Sequence, residues 1–360
     1  MVPYLIILYI SIALSFIHFV GKKENKYQLL FIIILLGLLS GSRYEIGGSD
    51  YYIYENMYNN VSTHLSEVIN PSDNILMVTE RGYIAIMALS KKVGLNYNQF
   101  LLLLGIATSI TLFLVIKNYT NYFFLILLLF ICKGYLYYFF TAQRQIIAIL
   151  ICWYAIKFVL NRKFKSFAFF VLIASLFHSS AIVFLIVYFT YAMELKNKFV
   201  IILFFISIIF GSLHIGPRLL IFISNYLPIG AEKLINYSGG TGSVNVFNFI
   251  EMVPIMFLIL KHRNIISRNT KHFSFFFPLF LIYIFINFAF YDFSIMTRVR
   301  GYFIIGYISI IASIPYSFKT QAQKNIVLVV LVLYFSAVFI RELMVFDGGT
   351  GYLPYNSYLF

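Results

Sequence analysis

Apolar runs of about 17–20 residues recur from one end of this chain to the other, and no other feature restricts its fold so strongly. The runs are continuous, with none of the apolar–polar alternation of a β-strand that has one wet face. Within hydrocarbon only helices and closed barrels satisfy their own backbone, and continuous runs of this length select helices. Composition agrees: 61% of the 360 residues are apolar and 11% are charged, against roughly 25% charge in a soluble domain. The sequence therefore predicts an all-α, polytopic membrane helix bundle forming one integral membrane domain over residues 1–360. The first run, MVPYLIILYISIALSFIHFV, has no basic segment ahead of it and no small-residue cleavage site, so it is read as a retained span.

The net charge of +14 is carried by short clusters between the runs. This is the pattern of the positive-inside bias, and it speaks against a nucleic-acid ligand. Clusters at Lys22–Lys26, Arg162–Lys165, Lys196–Lys198, Lys261–Lys271 and Lys319–Lys324, with Lys117, mark cytoplasmic loops. Between them fit roughly twelve spans: 3–20, 27–42, 98–116, 120–140, 143–160, 165–177, 180–194, 199–214, 245–260, 273–291, 299–316 and 325–340. Both termini then lie outside. Residues 82–95, YIAIMALSKKVGLN, are too short to span and are read as an interfacial or re-entrant amphipathic helix within a first external segment, 43–97. A second external loop covers 215–244 and includes the glycine-rich NYSGGTGSVN; an external tail covers 341–360.

This topology sorts the charges unevenly. Seven of the ten arginines (Arg43, Arg81, Arg144, Arg218, Arg298, Arg300 and Arg341) fall on or near the external side, as do eleven of the thirteen acids. A guanidinium presents a planar fork that matches phosphate or carboxylate bidentately and tolerates partial burial. Arginines gathered outside point to an anionic ligand approached from that side. Tyrosine and glycine are abundant in the same loops, which suits carbohydrate but also an interfacial aromatic belt.

Four stretches stand out. Arg43–Tyr54 is the densest polar stretch, and Gly47-Gly48 predicts a turn that brings Asp50 back toward Arg43. Gln143-Arg144-Gln145 opens a span, where an ionisable group and a helix N-terminus both favour an anion. His178 lies 13 residues past Lys165, a climb of roughly 20 Å, between two runs that are each short for a full span. A chain break at Phe177-His178-Ser179-Ser180 is expected there, lining a polar cavity, with a ring suited to proton transfer near neutral pH. Arg298 and Arg300 follow Asp292 at the start of a span, and Glu251 is a further candidate. The chain contains no nucleotide-binding loop, no HExxH, no GxSxG, no acidic metal cluster and no metal spacing of its two cysteines, Cys132 and Cys152. No internal repeat of the kind found in inverted-repeat transporters is visible.

Taken in order, RYEIGGSDYYIYENMY (Arg43–Tyr58), ERGYIAI (Glu80–Ile86), AQRQIIAI (Ala142–Ile149), FHSSAI (Phe177–Ile182), RVRGY (Arg298–Tyr302) and YLPY (Tyr352–Tyr355) resemble the EpsG family of Wzy-type polysaccharide polymerases. The resemblance covers nearly the whole chain. O-antigen ligases are confusable relatives, with a much longer late external loop. The resemblance implies a glycosyltransferase of GT-C type in the cytoplasmic membrane, working at its outer face without metal or nucleotide sugar, and no cofactor. Its substrates would be undecaprenyl-diphosphate-linked oligosaccharides, with a flippase and a chain-length regulator as neighbours. Arg43, Arg144, Arg298 and Arg300 would then hold the diphosphate, and His178, Asp50 and Glu80 are the candidate bases. Tyr51, Gln145, Arg218 and Tyr302 are assigned to substrate contact. The competing readings are a lipid-linked oligosaccharide flippase and a membrane ligase or acyltransferase.

Overall fold

The computed structural model describes residues 1–21, 24–64, 80–224, 246–291 and 293–359. Lys22 and Lys23 of the first basic cluster, residues 65–79 and 225–244 of the two long loops, and Asp292 lie outside the described residues.

Among the described residues every regular element is helical. In chain order they are α1 (Val2–Gly21), α2 (Lys26–Gly41), α3 (Ser49–Asn60), α4 (Arg81–Lys92), α5 (Tyr97–Tyr119), α6 (Phe123–Phe130), α7 (Gln143–Tyr154), α8 (Ile156–Leu160) and α9 (Phe164–Ser175). They continue with α10 (Ile186–Thr190), α11 (Asn197–Ser212), α12 (Ile215–Ser224), α13 (Val246–Asn269), α14 (Phe273–Ala289), α15 (Ser294–Gly301), α16 (Ile304–Ser313) and α17 (Gln321–Val345). A π-helix, Ile131–Thr141, prolongs α6, and a 3₁₀ helix, Ser179–Leu185, precedes α10.

Five helical segments are long and apolar enough to cross a membrane: Val2–Gly21, Tyr97–Tyr119, Phe123–Thr141, Gln143–Leu160 and Gln321–Gly349. A sixth is reached if Ile295–Gly301 and Ile304–Ser317, bent by 56° at their break, count as one. The protein is thus a polytopic helical membrane protein. Several of the other expected spans are shorter apolar helices: α2, α9, α11, α14 and the stretch Ser179–Thr190 run 10–17 residues. At 1.5 Å per residue, 16 residues cover about 24 Å, less than the ~30 Å hydrocarbon core.

The chain forms two compact units: Met1–Ile182 with Ile326–Phe360, and Val183–Asn325. In the first, α2 and α5 pack along a stripe of small residues. A Cβ on Gly105 would stand 2.6 Å from the Gly37 carbonyl oxygen, and one on Gly41 would stand 2.8 Å from the Leu102 Cα. Glycine four residues apart lets two backbones approach where lipid offers no hydrophobic drive for association. Local signals set the helix ends. The Asn25 side chain accepts from the Tyr27 and Gln28 N–H groups at the start of α2. Asn96 and Gln99 form a reciprocal capping box at the start of α5.

The amphipathic segment after the first loop is helical as expected. α4 buries Tyr83, Ile84, Met87 and Ala88 against Tyr51, Tyr54 and Tyr58, spaced three and four residues apart on α3. Of the tail read from sequence, 341–360, residues 341–345 belong to α17, and residues 346–359 follow it and dock on the α2–α3 connection. Main-chain hydrogen bonds run from Tyr44 to Asn356, from Gly47 to Gly351 and from Tyr358 to Ser42, at 2.9–3.1 Å.

Candidate functional site

The α2–α3 connection turns at Gly47 and Gly48, with φ of +122° and +69°. A Cβ on Gly47 would stand 2.5 Å from the Phe140 carbonyl oxygen, so only glycine lets the turn press on the end of the π-helix. Arg43, 2% exposed, folds inward beneath this turn. Its Nε donates to the Ile46 carbonyl at 3.2 Å and its Nη1 to the Ser40 carbonyl, while its guanidinium carbon lies 5.3 Å from the centre of the Phe140 ring. The Nη2 has no hydrogen-bond partner among the described residues. The turn forms, and the hydrogen bonds of Arg43 go to main-chain carbonyls rather than to Asp50. Asp50 sits in the first turn of α3, partly exposed, whereas the turn drives Arg43 under Phe140 and the docked tail.

Arg144, at the start of α7, is held differently. Its Nη1 forms a salt bridge with the Glu80 carboxylate, and its Nε donates to the Tyr54 hydroxyl at 3.2 Å. The preceding Gln143 is 1% exposed and ties three segments together. The Tyr83 hydroxyl donates to its Oε1 at 2.7 Å, and its Nε2 donates to the Tyr97 hydroxyl at 3.4 Å. Tyr97 in turn donates to the Tyr51 carbonyl at 3.4 Å. Burial lifts the hydroxyl of Tyr51 to about 12 and raises those of Tyr58 and Tyr83 as well. These phenols therefore stay neutral and serve as donors at physiological pH. Gln145 is also buried at 1%.

The chain breaks where expected around His178. α9 ends at Ser175, His178 lies outside regular helix, and the 3₁₀ helix begins at Ser179. His178 is 9% exposed, and its Nδ1 is 2.7 Å from the Ser180 Oγ. The Leu176 carbonyl, freed by the break, accepts from the Gly82 N–H at 2.8 Å. A Cβ on Gly82 would stand 2.9 Å from that oxygen. The N-terminus of α4 thus joins the Arg144–Glu80 pair on one side to the His178 break on the other. Three stretches far apart in sequence, ERGY, QRQ and FHSS, meet in the first unit.

In the second unit, Arg300 Nη1 donates to the Asn287 Oδ1, and its guanidinium carbon is 5.3 Å from the centre of the Tyr283 ring. Tyr283 stacks on Tyr307, centroids 4.4 Å apart, and the Tyr307 hydroxyl donates to Glu251, itself 6% exposed. A small cavity of 40 Å³ is lined by Asn248, Asn287, Thr297 and Arg300 among others. Arg298 is partly exposed on α15, Tyr302 is fully buried, and Arg218 is exposed on α12. No group of three or more His, Cys, Asp or Glu able to hold a metal occurs among the described residues.

Sequence reasoning noticed the stretches that hold Gln143, Tyr54 and Tyr83 but gave these residues no role, and it passed over Tyr97 in the first unit and Asn287 and Tyr307 in the second. Gln143 carried one usable signal, an uncharged amide at the first position of a span beside an arginine. The tyrosines resembled an interfacial belt. Within Arg43–Tyr58 the rings left open to a ligand are those of Tyr44 and Tyr52, 40% and 51% exposed, while Tyr51 is enclosed.

No curated protein and no solved structure matches the chain. The model of the EpsG family, in contrast, matches residues 26–357, a range that takes in the paired Arg144 and Glu80, the His178 break, the second unit and the docked tail up to Ser357. With that coverage the chain belongs to the EpsG family, a Wzy-like polymerase family.

Proposed function

We propose that this protein is a polysaccharide polymerase that joins repeat units at the outer face of the bacterial cytoplasmic membrane. It would take glycan from an undecaprenyl-diphosphate-linked donor and pass it to a sugar hydroxyl of a lipid-linked acceptor. The acceptor oxygen bonds to the donor's anomeric carbon, the bond from that carbon to the diphosphate oxygen breaks, and undecaprenyl diphosphate leaves with the electron pair. The hydroxyl proton passes to a base. A twelve-span, GT-C-like arrangement with both termini outside is part of the same proposal. So are a flippase and a chain-length regulator as partners.

The observation that carries the proposal is the meeting of the Arg144–Glu80 pair with the His178 break through Gly82. A departing diphosphate needs fixed positive charge, and an arginine oriented by a carboxylate and a phenol supplies it in a set geometry. Taking the acceptor hydroxyl's proton needs a titratable group held in a set orientation, and Ser180 orients the His178 ring. Arg298 and Arg300 in the second unit carry the same anion chemistry, and Arg43, tied to main-chain carbonyls, is proposed to add its charge from within the fold. Asp50 and Glu80 remain the other candidate bases. Tyr51, Gln145, Arg218 and Tyr302 are proposed to shape the substrate's surroundings.

The test is incubation of the purified protein with a synthetic lipid-linked repeat unit, reading polymer length and released lipid diphosphate. Polymer formation is expected without added metal or nucleotide sugar. Transbilayer movement of the unit without polymer would favour a flippase instead. In the same assay His178→Ala is expected to lower the rate about 10²–10⁴-fold. His178→Gln, which keeps a hydrogen bond and loses the base, should stay equally poor. Full activity in the glutamine variant would leave His178 a positioning role and move the base to Glu80 or Asp50.

A further inference from the structure

We infer that the second unit holds a binding site for an anionic membrane phospholipid, its head in a basic cavity and its chains in an adjoining apolar groove. The cavity measures 630 Å³ and is lined by Glu194, Lys196, Asn197, Lys261, Arg263 and Phe277 among others. The groove measures 550 Å³ and is lined by Phe199, Ile202, Leu203, Ile206, Leu281 and Phe285 among others. Met193, Leu195 and Pro278 line both volumes, so the two share a wall.

The cavity has the chemistry of a phosphate receptor. Three cations face one carboxylate, Glu194, and no ion pair forms between them among the described residues. Arg263 is fixed in place: its Nη1 donates to the Asn197 Oδ1 at 2.6 Å, and its guanidinium carbon is 4.6 Å from the centre of the Phe277 ring. A guanidinium carries five N–H donors, and the single bond to Asn197 leaves the others for a ligand. α11 begins on this wall, and Lys196 at its N-cap makes no side-chain hydrogen bond to the first turn. The positive end of the helix dipole therefore adds to the three cations.

The groove decides between a soluble anion and a lipid. Phe199, Ile202 and Ile206 are 57%, 42% and 39% exposed, a set of side chains that needs hydrocarbon against it. A phosphate on a two-chain lipid satisfies both volumes at once. A free phosphate fills only the first, and a zwitterionic lipid brings a cation to a wall that already carries three. The site shares no residue with the Arg144–Glu80 pair or with His178 and does not depend on their proposed role.

The experiment places the full-length protein in nanodiscs of phosphatidylcholine with a minor fraction of phosphatidylglycerol and reads retained lipid by native mass spectrometry. Preferential retention of phosphatidylglycerol is expected. The Lys261→Gln, Arg263→Gln double variant should lower it about 30-fold, since each interfacial cation contributes about fivefold. Leu203→Trp, which fills the groove, should also lower it, whereas Lys198→Gln, next to the cavity but not on its wall, should lower it by no more than about fivefold. Equal retention of both lipids by the unaltered protein would overturn the inference. An equal loss in Lys198→Gln would do the same by reducing the effect to bulk charge. Glycerol 1-phosphate competing as well as the whole lipid would show a soluble-anion pocket and would also overturn it. The two measurements on unaltered protein hold even where a variant fails to fold.

Discussion

Arg43 and Arg144 lie in the same compact unit, yet the protein holds them in opposite ways. Arg43 is 2% exposed and its partners are neutral: two main-chain carbonyls and the face of Phe140. The Arg144 side chain is 22% exposed and faces the Glu80 carboxylate. A cation compensated only by dipoles keeps most of its attraction for a distant anion, but it is woven into the fold. A cation already paired has less net field, and a ligand phosphate must compete with the carboxylate for it. One arginine is therefore first a structural pin and the other first a ligand group, although sequence treats them alike.

The strongest way to break this contrast is Arg43→Ala. The change strands two carbonyls and opens a cavity, and a loss of about 3–5 kcal/mol is expected, read as a fall in folded yield and melting temperature in detergent. A well-folded, inactive Arg43→Ala protein would instead make Arg43 a ligand group like Arg144. Next in size is Arg144→Lys, which keeps the charge and loses the fork. It should fold normally and lose about 10²-fold in polymerisation rate. Near-normal polymer would mean that charge alone suffices there. Glu80→Gln sharpens the contrast further. The pair is partly exposed, so stability should change by no more than about 1 kcal/mol. If Glu80 only competes with the donor for Arg144, donor KM falls while kcat holds; a collapse of kcat would identify Glu80 as the base. The smallest effect is expected from Tyr51→Phe. The folded hydroxyl sits at about 12 against an ordinary 10.0, because burial disfavours its charged form. Its contribution to stability is complete below pH 10 and fades as pH rises toward 12, so wild type and the variant should show the same activity profile between roughly pH 6 and 9.

Much of the backbone plan was legible in sequence because it rests on local chemistry. Gly47-Gly48 announced the turn, short runs on either side of His178 announced the break, and the pattern of Tyr83, Ile84, Met87 and Ala88 announced an amphipathic helix. The number of full-length crossings was less legible, since apolarity fixes that a segment prefers lipid and not that its helix runs unbroken. α15 meets α16 at a 56° bend where a single span, 299–316, was expected, and hydropathy does not show it. Long-range pairings left still less trace. Gln143 and Tyr83 are 60 positions apart, and each alone has several plausible partners. The docked tail was invisible for a simpler reason: main-chain hydrogen bonds to Ser42, Tyr44 and Gly47 require no particular side chain.

That tail sets an order of events during biosynthesis. Tyr4 donates to the Tyr352 carbonyl, 348 positions away, and residues around Ser357 pair with Arg43. Residues near 350 emerge from the ribosome long after α1 and α2 have entered the membrane, so the Arg43 turn must wait, open on that flank, for the rest of the chain. A ribosome stalled anywhere in the second unit would leave a nascent chain whose Arg43 turn lacks this cover. A protease cut between α17 and Tyr352 would likewise deprive a mature molecule's Arg43 turn of its main-chain contacts with residues 351–358.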